Sequence, residues 1–285
     1  MQLLVMVAIM LGAFLLVSIA MMVAGVCGAD LLSGAGLWCM QTVTEIAVFA
    51  VPLIVMVAIY YKGRGREFCR LDFSGQRWRL ALAGVVVLLL MVPIIEWLTT
   101  WNDSWDLGRI GSLLRQQQDM TEGMLEEILN ITTVGGLLAN LVVVALVPAV
   151  CEELFFRAGM QNLLQRWWGN KHVAIWVTAV IFSLCHGEIF SFMPRLALGA
   201  LMGYVYVYGG SLLPNVMVHF VNNSIVVVLS WLAARGVLDI DPEQPIDFGA
   251  ILTVCCTLAA VGVMLVTFFK KSAQKEGKKG AEETV

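Results

Sequence analysis

Charge is scarce in this sequence: 14% of its 285 residues are Asp, Glu, Lys or Arg, while 59% are hydrophobic. An ordinary water-soluble domain carries about 25% charged residues, so that class is excluded and a lipid bilayer is the solvent. Proline and histidine are also few, at 7 and 3. Long helices are therefore seldom interrupted, and each imidazole needs an account. The 7 cysteines are odd in number. Cys151, Cys185, Cys255 and Cys256 fall in apolar runs, where sulfur behaves as a small hydrophobe, so no disulfide framework is expected. No polar stretch is long enough for a separate soluble core, and no nucleic-acid partner is expected.

Apolar runs are abundant. A helix needs about 20 apolar residues to cross the hydrocarbon layer. Eight spans are expected near Leu3–Val26, Leu37–Tyr60, Leu80–Trp97, Val134–Phe156, Val173–His186, Phe192–Tyr208, Leu212–Ala233 and Phe248–Phe269. The fold class is thus all-α, a polytopic membrane protein of about eight transmembrane helices. The first span lacks a preceding Lys or Arg and a clear cleavage pattern, so it reads as a retained helix.

The remaining charges are unevenly placed. Lys62, Arg64, Arg66, Arg70, Arg77 and Arg79 follow the second span, and Lys270 and Lys271 follow the eighth. Basic loops stay in the cytoplasm, which puts both termini inside, in what is expected to be a prokaryotic plasma membrane. The acidic stretch from Asn102 to Asn130 then lies outside. Within it, Ile110, Leu113, Leu114, Met120, Met124, Leu125 and Ile128 recur at helical spacing, as in an amphipathic helix lying on the membrane surface, with a lid over a site as the alternative. Trp97, Trp101, Trp105, Trp167 and Trp168 stand at span ends and read as interfacial anchors.

Ionisable side chains inside a bilayer cost at least about 2.5 kcal/mol each near its centre and so point to function. The richest cluster is Cys151-Glu152-Glu153-Leu154-Phe155-Phe156-Arg157. Adjacent glutamates on a helix project about 100° apart and cannot share one role. Glu153 and Arg157 are four apart in the favourable order for an ion pair, leaving Glu152 to face a cavity. Pro148, one turn earlier, is expected to bend the helix there.

His186 and His219 fall in expected spans, whereas His172 follows Lys171 at a membrane boundary and reads as interfacial. Two membrane histidines beside a buried acid have acid and base capacity near neutrality. His219 and Asn223 are four apart on one helix and can aim two donors at a developing oxyanion. Asn222 is turned about 100° away. Gly199 and Gly203 permit close helix approach.

Three motifs occur in order: Glu-Glu-x-x-x-Arg at Glu152, Glu153 and Arg157; Phe-x-x-x-His at Phe182 and His186; His-x-x-x-Asn at His219 and Asn223. With the glycine-rich linker Arg195 to Val218, the pattern resembles the CPBP family, the CAAX proteases and bacteriocin-processing (Abi) enzymes, over roughly Thr133 to Leu229. The resemblance implies an intramembrane endopeptidase acting on a membrane-associated or prenylated CAAX-type peptide. It implies that Glu152 and His186 activate a water, that His219 and Asn223 hold the oxyanion, and that Glu153 with Arg157 positions the site. It also implies a site without a required cofactor. Zinc is the second mechanism, with Glu152, His186 and His219 as its ligands, although no His-Glu-x-x-His motif is present.

Residues 1–132 are expected to form N-terminal spans and the outer segment, 133–229 the catalytic core, and 230–285 a last span and basic tail, all within one membrane domain. The expected partners are membrane lipid and a membrane-associated peptide. The competing classes are a noncatalytic scaffold or immunity protein and a proton-coupled transporter using Glu45, Glu96 and Glu152, for which no inverted repeat is visible. A thiol mechanism at Cys151 or Cys185 lacks an activating partner at helical spacing.

Overall fold

The computed structural model describes residues 1–31, 33–71, 77–238 and 256. Among them the chain is helical, with no strand. The helices are α1 (Gln2–Val26), α2 (Gly34–Tyr61), α3 (Arg77–Asp103), α4 (Gly108–Leu129), α5 (Val134–Trp168), α6 (Lys171–Cys185), α7 (Phe192–Gly209) and α8 (Leu213–Ala234). Six of these, α7 being extended by the short turn at Ile189–Ser191, are long and apolar enough to cross a bilayer, and α6 is apolar but shorter. The chain is an all-α polytopic membrane protein. The expected eighth span, Phe248–Phe269, lies outside the described residues.

Two helices overrun their expected ends. α3 continues to Asp103, and α5 runs to Trp168 rather than stopping near Phe156. The charged residues that ended the expected fourth span point into the protein: Glu153, Arg157 and Gln161 are completely buried. A hydropathy count cannot tell an internal polar face from a solvated helix end.

Two prolines are handled without breaking their helices. π-helical turns at Ile46–Ala50 and Leu141–Leu146 come just before Pro52 and Pro148. A widened turn accommodates a residue that lacks an amide donor and crowds the carbonyl behind it.

The bundle has two chemically distinct ends. At one, the Arg166 guanidinium lies over the Phe68 and Tyr61 rings, Lys171 over Tyr208, and Leu212 N–H donates to the Arg70 carbonyl. The acidic helix α4 lies at the other end, where Asn140 donates to the Ile128 carbonyl and Trp231 to the Thr133 carbonyl. Alternation of the spans therefore places the basic loop and the acidic segment apart. α4 leaves Ile110 and Leu113 about two-thirds exposed but buries Gln118, Ile128 and Leu129. An exposed apolar stripe on a helix lying over the bundle suits the membrane interface. Trp97, Trp101, Trp167 and Trp168 are exposed at helix ends.

The core is organised around α5. Phe155 and Phe156 are fully buried against Phe49 of α2, and Phe156 meets Phe182 of α6 edge-on at 5.1 Å. α7 closes on α6 at glycines: a Cβ on Gly203 would sit 2.8 Å from Ile175 Cγ2 and 2.9 Å from Gln161 Oε1. Gly203→Val should therefore overpack this seam and cost about 1–3 kcal/mol. Thermal unfolding in detergent checks this, with Gly12→Ala, a mid-helix position whose Cβ would meet nothing within 4 Å, expected not to lower Tm.

Candidate active site

The site is assembled from α5, the C-terminal end of α6, and the first half of α8. α5 supplies Glu152 at the end of an α-helical stretch, and a π-helical segment, Glu153–Gln161, follows at once. Such segments are frequent at functional sites, because the wider turn re-aims side chains.

Glu153 is the most heavily bonded residue of the group. Arg157 Nε stands 3.3 Å from Oε2, His219 Nδ1 stands 2.9 Å from Oε1, and the Asn215 amide donates to Oε2. Arg157 is completely buried. It donates from Nη2 to the Gly199 carbonyl at 3.3 Å, and its guanidinium lies over the Phe182 ring. One turn on, Gln161 Nε2 donates to the Gly203 carbonyl at 3.0 Å. The two glycines of α7 thus present bare carbonyls to α5 besides letting α6 approach.

Glu152 is differently placed. It is 6% exposed, and no protein group hydrogen-bonds its buried Oε2. His219 Nε2 is 3.9 Å from that oxygen. This is too long for a direct hydrogen bond and short enough for a small molecule to bridge. The two glutamates therefore differ as their angular separation predicts, one fully engaged and one with a free oxygen.

His219, 4% exposed, has its two nitrogens divided between them. Nδ1 faces the ionic, Arg-paired Glu153, so this nitrogen carries hydrogen and Nε2 is aimed at Glu152. His186 is the C-cap of α6, with Nδ1 2.8 Å from the Phe182 carbonyl. A carbonyl only accepts, so Nδ1 is the donor and a neutral His186 keeps its lone pair on Nε2. The Phe182 ring is centred 4.8 Å from the His186 ring and 6.3 Å from the His219 ring. One aromatic side chain therefore touches Arg157 and both histidines.

Asn223, half-buried one turn beyond His219, accepts at Oδ1 from Asn222 Nδ2 at 3.2 Å. Asn222, on the adjoining face of α8, is a hydrogen-bonding residue. It fixes the neighbouring amide, so that Asn223 keeps its own Nδ2 as a donor. His172 lies apart from the site and bonds the Tyr204 hydroxyl at 3.0 Å. Asn215 was not singled out from the sequence. The signal that finds it is the series Asn215, His219, Asn223, spaced by four along one face of α8. Gln161 extends Glu153 and Arg157 in the same way. Glu45 is a further buried carboxylate, bonded by Gln41 at 3.1 Å and within electrostatic range of Glu152.

Among the described residues no group of three or more His, Cys, Asp or Glu side chains is disposed to hold a metal ion. Glu152, His186 and His219 are therefore not gathered as a zinc ligand set, although each histidine bonds the protein through Nδ1 and keeps Nε2 available.

The bundle of a polytopic membrane protein thus encloses two unlike carboxylates and two oriented histidines. Residues 134–225 match the family model described as type II CAAX prenyl endopeptidase Rce1-like, so this segment is similar to that family. The matched segment contains Glu152, Glu153, Arg157, His186, His219 and Asn223. No curated protein and no solved structure matches the chain.

Removing one partner of a buried ion pair strands the other. Arg157→Met should destabilise by about 3–5 kcal/mol, and Glu153→Gln in the same chain should recover part of that loss. Thermal unfolding of the single and double variants checks it.

Proposed function

We propose that this chain is an intramembrane endopeptidase in which Glu152 activates the hydrolytic water. The observation that carries this is the free Glu152 oxygen, buried and 3.9 Å from a histidine nitrogen whose ring is fixed from behind by a second carboxylate. A carboxylate without protein donors in a poorly solvated place is suited to take a proton.

On this mechanism the water sits against Glu152, with His186 Nε2 accepting a hydrogen bond that orients it. As its oxygen bonds to the peptide carbonyl carbon, the proton passes to Glu152. The carbonyl oxygen becomes an oxyanion, held by Nε2–H of a doubly protonated His219 and by Asn223 Nδ2. Glu153 supports the imidazolium from the far side. Donors fixed in advance on one helix stabilise the developing charge without reorganising. Collapse breaks the carbon–nitrogen bond, and Glu152 returns the proton to the leaving amine. Every role falls to a side chain, and no metal or other cofactor is needed.

The family description points to a prenylated CAAX-type peptide as substrate. An apolar cavity of about 140 Å³, lined in part by Leu114, Leu184, Gly187, Ile189 and Phe192, lies beside the His186 segment and would take an apolar substrate group. The charge asymmetry of the loops supports a cytoplasmic position for the basic end of the bundle.

The test is cleavage of a peptide library with prenylated members by purified protein in detergent. Glu152→Gln and His186→Ala should each lower kcat by about 10²–10⁴. Asn223→Ala should lower it by about 10²–10³. Treatment with 1,10-phenanthroline should leave the rate unchanged. Wild-type cleavage by Glu152→Gln would overturn the mechanism, and loss on chelation would replace it with a metal-dependent one.

A further inference from the structure

α6 stops at Cys185, and its C-cap His186 is followed by Gly187, whose φ of +72° turns the chain away from the helix. Between Gly187 and α7 the chain makes only a single 3-10 turn, Ile189–Ser191, so most of its backbone groups lack regular helical partners. Irregular backbone at membrane depth is tolerated only where protein or enclosed water satisfies its polar groups. Here two side chains from outside the family-matched segment do so.

Asn102, near the end of α3 and completely buried, donates to the Ile189 carbonyl at 3.0 Å and accepts from Met193 N–H at 2.7 Å. Gln118, in the middle of α4 and 4% exposed, accepts from Phe190 N–H at 3.2 Å and donates to the Ser191 hydroxyl at 3.3 Å. Glu122 accepts from the same Gln118 amide at 2.8 Å, which fixes its orientation. Ser183 Oγ, in the last turn of α6, donates to the Phe192 carbonyl at 2.7 Å and ties the two ends of the segment together. His186 is thus anchored behind by the Phe182 carbonyl and ahead by a segment held by two buried amides.

We propose that Asn102 and Gln118 are positioning residues that set the place of His186 for hydrolysis. The proposal rests on the peptidase mechanism above and adds to it a function for α3 and α4. Their own side chains touch neither water nor peptide; they act through the 189–193 backbone. A misplacement of about 1 Å in a reacting group can cost about 10²-fold in rate.

Asn102→Leu and Gln118→Met are close in size and remove the bonds. Each should lower kcat by about 10- to 100-fold with KM nearly unchanged. In a His186→Ala background each should have almost no further effect, because residues acting through one group are not additive. Equal losses in both backgrounds, or no loss in either, would overturn the proposal. Asn102→Asp keeps the acceptor for Met193, sets a carboxyl oxygen in place of the donor to Ile189, and serves if the leucine variant does not fold.

A second measurement needs no turnover. The chain has 3 histidines, so ¹⁵N-histidine NMR resolves His186, assigned by its loss in His186→Gln. Wild type should show the Nδ1–H tautomer, and Asn102→Asp or Gln118→Met should shift or broaden that signal. An unchanged signal in both variants would overturn the proposal. Because it is read without substrate, this result is separable from failure of the peptidase mechanism.

Discussion

The buried pair of Glu153 and Arg157 is the constraint on which the rest of the site depends. Neither charge reaches solvent, and an uncompensated ion at such depth would cost several kcal/mol. Compensation comes from three other helices: Asn215 and His219 on α8, the Gly199 carbonyl on α7, and the Phe182 ring on α6. Keeping those two charges satisfied therefore holds four helices in one arrangement. It also leaves Glu152, next in the chain, on a different face and without a protein donor.

α5 can serve this purpose because it keeps its chemistry on separate faces. Phe155 and Phe156 build the apolar core, while Glu153, Arg157 and Gln161 form the polar column. The glycines of α7 complete the column. With a side chain at Gly203, the Gln161 amide would be crowded by a Cβ 2.9 Å from its oxygen. Small residues here serve side-chain-to-backbone bonding as much as helix packing, which in lipid is an effective way to satisfy an internal polar group.

Much of the fold was legible because bilayer crossing imposes a simple length rule, and seven of the eight expected spans coincide with described helices. The edges were less legible. Arg157 looks like the end of a span in a linear count, and only its partners on α7 reveal it as interior. In the site, the spacing of Glu153 and Arg157 announced their contact, since four residues make one turn. The spacing of His219 and Asn223 put them on one face but could not show that His219 turns Nδ1 toward Glu153. That depends on how α5 and α8 meet. Asn215 was legible in principle from the same four-residue series. Asn102 and Gln118 were not, because both sit in sequence that reads as a surface connection, and their partners are backbone groups some 70 to 90 residues away.

α6 is 15 residues long, about 22 Å at helical rise, beside a hydrocarbon layer of about 30 Å. Val173, Trp176, Val180 and Leu184 are exposed along it, so among the described residues no helix covers this side of the short wall. Lipids in contact with a helix this short compress or splay to match it. A bilayer matched to this wall would thin beside His186, bringing the polar region closer to the site on that flank.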